Sequence, residues 1–94
     1  MTNNSLIIEK RYIFFRDQAN LIEDAVRKEK GKIVSLDFSK VIFFSRSFGD
    51  EFLNLIENLE KEGFIIKPVN LKPQLKKFLK QIKEKKIKIR SEMK

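Results

Sequence analysis

The strongest constraint in this sequence is a repeated change of hydrophobic period. Short runs of β-branched and aromatic residues give way, three times, to stretches whose apolar residues share one helical face. Residues 5–9 (Ser5-Leu6-Ile7-Ile8-Glu9) read as a short strand. Residues 12–15 (Tyr12-Ile13-Phe14-Phe15) read either as a second short strand or as a buried lead-in to a helix. Asp17 is the candidate N-cap of that helix, Ala19, Ile22 and Val26 with Leu21 and Ala25 form its apolar face, and Gly31 stops it. Residues 32–38 read as a strand, and the apolar stretch Val41-Ile42-Phe43-Phe44 follows at once. The period then changes: Phe48, Phe52, Leu55, Ile56 and Leu59 line one helical face, which Gly63 ends. Residues 64–69 read as a further strand, with Pro68 placing it near a sheet edge. Pro73 suits the first turn of a last helix with Leu75, Phe78, Leu79 and Ile82 on its apolar side. Residues 86–90 (Lys86-Ile87-Lys88-Ile89-Arg90) alternate basic residues and isoleucine and fit either a strand or a fraying helix.

Repeated β–α units predict a mostly parallel sheet joined by right-handed crossovers. The expected fold is a single small α/β domain over residues 1–94, with about four strands and three helices chiefly on one face. A basic extension occupies about residues 83–94. A chain of 94 residues supports one modest core.

Composition narrows the chemistry. The chain has no Cys and no His. It therefore lacks a thiol nucleophile, a disulfide framework, a thiolate or imidazole metal site and an imidazole base. No second acid or metal cluster accompanies Asp37 in the sequence, so the expectation is a non-enzymatic protein with no catalytic residue, no metal and no cofactor. No apolar run exceeds four residues. That is short of a signal-peptide core or a membrane span, and the expectation is a cytoplasmic protein without a membrane partner.

The net charge of +8 is concentrated in the chain's last part. Through residue 71 the chain carries 11 basic and 11 acidic residues; residues 72–94 carry ten basic and two acidic ones. A neutral body with a basic tail points to a solvated helix face or to an anionic partner. Lys76, Lys77, Lys80, Lys83, Lys85, Lys86, Lys88 and Arg90 are the candidates for nucleic-acid contact. Phe78 is the one aromatic residue among them and belongs to the core face, and lysines outnumber arginine nine to one. Binding through this helix would be non-specific and salt-dependent.

The segment between the central strand and the second helix carries the remaining polar groups. Ser47 is a candidate N-cap, with Asp50 and Glu51 expected in the first turn. A phosphate on Ser47 would meet free backbone N–H groups and lie close to Arg46. Plain capping accounts for the same three residues, and Asp50 and Glu51 would repel a phosphate. Asp37 is suited to ordering the loop after its strand by accepting backbone N–H bonds, and Ser39 to the turn.

The run from Leu36 to Phe52, Leu36-Asp37-Phe38-Ser39-Lys40-Val41 followed by Ser45-Arg46-Ser47-Phe48-Gly49-Asp50-Glu51-Phe52, resembles the central strand–loop–helix of STAS domains, the fold of the bacterial anti-sigma factor antagonists. Asp37 and Ser39 match the family's Leu-Asp-Leu-Ser element, and Ser47 falls on the serine phosphorylated in the antagonists. Val69-Asn70-Leu71-Lys72-Pro73 resembles the Val-Asn-Leu-Ser-Pro that leads into the family's last helix. Ser45, Arg46 and Phe48 depart from the Asp-Ser-Ser-Gly loop. They agree better with the divergent STAS-like domains of unknown function, which read Asp-Phe-Ser and then Ser-x-Ser-Phe-x-Asp-Glu. Arg16 and Ala19 fit that branch's Arg-x-x-Ala. The resemblance covers about residues 12–82. It implies a regulatory protein-interaction module that docks a histidine-kinase-like ATPase or an anti-sigma factor through Asp37, Ser39, Ser45, Arg46, Ser47, Asp50 and Glu51, with Ser47 as a phosphorylation switch.

Overall fold

A computed structural model describes the backbone of residues 4–92 and the side chains of residues 4–86. Lys88 and Arg90, named above, have side chains outside the described residues. The chain order is β1 (Asn4–Ile7), β2 (Tyr12–Ile13), α1 (Gln18–Arg27), β3 (Ile33–Asp37), β4 (Phe43–Phe44), α2 (Arg46–Lys61), β5 (Ile65–Val69) and α3 (Pro73–Glu92). Residues 86–90 are thus helical.

The expected sheet of about four strands is instead, among the described residues, five strands in two sheets. The main sheet has the order β1-β3-β5, and β2 pairs separately with β4. Every pairing is parallel. Each of the first two units runs strand, two-residue strand, helix, and the two short strands pair with each other rather than widen the main sheet. In that pair Ile13 lies opposite Phe44, and both are buried; Tyr12 lies opposite Phe43, and both face outward. Residues 12–15 are therefore not a buried lead-in. Among them only Ile13 is buried, while Tyr12 and Phe14 are each 53% exposed and Phe15 69%.

An order that grows in one direction, with right-handed crossovers, sends each connecting helix to the same face. The burial pattern follows. Along the main sheet Leu6, Leu36 and Pro68 share one row and Val34 and Ile66 share another, on the covered face. Ser5, Ser35 and Lys67 form a row on the other face. Pro68 lies on the edge strand β5, where a residue without an N–H is tolerated.

The core beneath the helices is aromatic. Phe38, Phe44, Phe48 and Phe52 are fully buried. Phe52 meets Phe38 edge-on at 5.4 Å and stacks on Phe48 at 5.6 Å, while Phe44 sits 5.5 Å from Phe48 and 5.8 Å from Phe78 of α3. Phe48, Phe52, Leu55 and Leu59 recur at helical spacing and give α2 its buried stripe. Ile56 is partly buried beside them. On α1 the buried residues are Ala19, Ile22 and Val26; Leu21, expected on that face, is 63% exposed. Gly49 sets the approach of α3. A Cβ there would lie 2.6 Å from Ile82 Cδ1.

Candidate docking site at the carboxyl end of the sheet

The carboxyl ends of β3 and β5 and the start of α2 hold the polar residues singled out by sequence. The structure divides them into three groups.

The first group orders the end of the sheet. Asp37 Oδ1 accepts the Ser39 backbone N–H at 2.9 Å and the Asn70 side-chain amide at 3.1 Å. The Ser39 N–H first, then the Asn70 amide and the Ser39 hydroxyl, hold the Asp37 carboxyl below its ordinary value. Asn70 has φ of 59°, the left-handed region that asparagine tolerates better than most residues. Lys72 Nζ donates to the carbonyls of Ser39 and Val41, each at 3.1 Å. Asn70 and Lys72 were not among the expected site residues. The Val-Asn-Leu-x-Pro run was the available signal, because it puts a turn-forming asparagine where β5 stops.

The second group starts α2. The N-cap is Ser45, not Ser47. Ser45 is extended (φ −76°, ψ 163°) and its hydroxyl accepts the Phe48 N–H at 3.1 Å. The same hydroxyl donates to the Phe14 carbonyl at 2.6 Å, and the Ser45 N–H donates to the Ile13 carbonyl at 2.8 Å. Ser45 is thus fixed from β2 as well as from its own helix. Ser47 lies inside the first turn, is exposed, and its hydroxyl has no hydrogen-bond partner among the described residues. Arg46 is exposed and lines a cleft of about 380 Å³ with Phe78, Gln81, Ile82, Glu84 and Lys85.

The third group faces other elements. The first turn of α2 contains no acid; Asp50 and Glu51 fall in the second. Asp50 Oδ1 pairs with Lys86 Nζ of α3 at 3.2 Å, and Glu51 accepts from the Asn54 side chain at 3.3 Å. Asp50 therefore ties α2 to α3. Lys86, one of the basic-helix candidates, is held in that bridge, whereas Lys76, Lys77, Lys80, Lys83 and Lys85 are exposed.

Among the described residues, no three Asp or Glu side chains gather as a metal site would require. No helix among them is long and apolar enough to cross a membrane. Comparison with protein-family models, with curated proteins and with solved structures finds no match. What is established is the class of fold, a small α/β domain with three helices and a mostly parallel sheet.

Proposed function

We propose that this protein is a non-enzymatic regulatory module that docks a protein partner at the start of α2, with Ser47 as the residue that switches docking. The observation that supports this reading is the division of labour between two serines. Ser45 carries the structural bonds, and Ser47, two residues on, is exposed with its hydroxyl unengaged. A hydroxyl not needed for the fold is open to modification.

The physics of such a switch is local. A phosphate on Ser47 brings about −1.5 to −2 charge to a helix N-terminus, where backbone N–H groups and the helix dipole accept it. The domain therefore stays folded while the surface changes sign. A partner shaped for a neutral hydroxyl loses its fit through like-charge repulsion and desolvation. The resemblance of Asp37-Phe38-Ser39 and Ser45-x-Ser47-Phe48-x-Asp50-Glu51 to STAS-like domains supports the same reading. It suggests a histidine-kinase-like ATPase or an anti-sigma factor as the class of partner. Asp37, Ser39, Asn70 and Lys72 would keep the adjoining loop in shape for docking.

The test is phosphopeptide mapping of the protein isolated from its native cells, with and without the partner ATPase present. The reading expects modification at Ser47 and none at Ser45, whose hydroxyl is occupied. Ser47 found unmodified under all conditions removes the switch.

A further inference from the structure

The basic helix is poorly supplied with aromatic residues, but the described surface carries exposed rings elsewhere. They lie on the outer side of the β2/β4 pair. Tyr12 and Phe14 stack with ring planes parallel to 2° and centroids 6.3 Å apart, and Phe43 meets Phe14 at 5.8 Å. Tyr12 and Phe14 are 53% exposed and Phe43 40%. Leaving three large rings half in water, side by side on a strand pair, is unusual unless something covers them.

The charge beside them says what kind of partner fits. Lys10 and Arg11 precede the rings and Arg16 follows, all exposed, with no acid anywhere between Lys10 and Arg16. The nearest acid before this segment, Glu9, is held by Lys40 at 2.8 Å. A purely apolar protein patch would need only the rings. A lipid surface would favour a protruding wedge, whereas Tyr12 and Phe14 lie with parallel planes and Phe43 closes against Phe14 at a tilt of 45°. Exposed aromatic faces in a segment with three cations, Lys10, Arg11 and Arg16, against one following acid, Asp17, match a partner that alternates flat bases with phosphates.

We infer that the Tyr12–Phe14–Phe43 face is a platform for single-stranded nucleic acid: bases stack on the rings, and Lys10, Arg11 and Arg16 take the phosphates. The recognition is of stacking and charge, so it carries little sequence preference. The platform uses residues other than the lysines of α3 and Ser47, and it does not depend on the docking proposal.

The chain contains one Tyr and no Trp, so its tyrosine emission, excited beyond the phenylalanine absorption band, comes from Tyr12 alone. Labelled oligo(U) and oligo(dT) of about twelve nucleotides, within the usual site size, are titrated by anisotropy while the absorption-corrected Tyr12 emission is followed. The platform predicts saturable binding of the single strands, weaker binding of a duplex, and quenching of Tyr12. Neutralising three phosphates on a single strand predicts a slope of log affinity on log salt of about −2. Tyr12→Ala and Phe43→Ala should each weaken binding about five- to a hundredfold. Lys10→Gln/Arg11→Gln/Arg16→Gln should flatten the salt slope, and thermal melting shows whether each variant is folded. The quenching and the salt slope are read on the wild type and stand even if a ring variant unfolds. Four results overturn the inference: no binding, binding without Tyr12 quenching, loss only in Lys76→Gln/Lys77→Gln/Lys80→Gln/Lys83→Gln, or partition to phosphatidylserine vesicles with none to the oligonucleotides.

Discussion

Ser45 and Ser47 show how much a two-residue offset matters. Both stand before an apolar helical stripe, and both have a residue three positions on that can donate a backbone N–H, so local chemistry permits either as the cap. The choice is made by a tertiary contact: Ser45 continues the β2/β4 pairing and bonds to the carbonyls of Ile13 and Phe14. That contact spans about thirty positions of sequence and leaves no local trace, which is why the sequence reading puts the cap at Ser47. Ser45→Ala should lower stability by about 1–2 kcal/mol in denaturant unfolding, through the lost cap. Ser47→Ala should change it by less than about 0.5 kcal/mol. Asp37 gives a pH test. Its folded-state pKa lies below the unfolded value because the Ser39 N–H and the Asn70 amide favour the carboxylate. Its contribution to stability is therefore present above the unfolded pKa and is lost as pH falls through the lowered folded one. Asp37→Asn should flatten the acid limb of the melting-temperature profile; an unchanged limb would show that this carboxylate does not contribute.

At the scale of elements, long periodic segments were legible, whereas of the short paired ones β2 was legible only as one of two readings of residues 12–15 and β4 only as an apolar stretch. The stripe of α2 lies where Phe48, Phe52, Leu55 and Leu59 place it, because a helix of 16 residues repeats its signal. The two-residue strands β2 and β4 carry almost no periodicity, and their existence depends on finding each other. For the same reason the exposure of Tyr12, Phe14 and Phe43 was not read from sequence: an aromatic run looks like core until its partner strand fixes which rings turn outward. Strand alternation also makes a sharp comparison within β5. Ile66 is 7% exposed and Ile65 49%. Ile66→Ala should cost about 2–5 kcal/mol, as should Leu55→Ala on the 4%-exposed core face of α2. Ile65→Ala should cost less than about 1 kcal/mol. Equal effects at 65 and 66 would mean that both faces of the sheet are covered. Leu21 belongs to the same lesson. It fits the helical period of α1, but the sheet and α2 cover only a narrow stripe, and Leu21 falls outside it.

For the whole molecule, the α/β class followed from the alternation of periods because each β–α step leaves one topology that packs well. The strand count did not, since pairing partners are a global property. One-sidedness was also legible in outline. Ser5, Ser35, Asp37 and Lys67 make the outer face of the sheet partly polar, which lets it meet water. The same architecture gathers the ends of β3 and β5 and the start of α2 at one end of the domain, and the docking proposal rests on that end. Its most direct measurement is affinity capture from native lysate with wild-type protein, Ser47→Ala and Ser47→Asp, at matched melting temperatures. The account predicts one partner retained by wild type and Ser47→Ala and released by Ser47→Asp. The same partner captured equally by all three forms would contradict it.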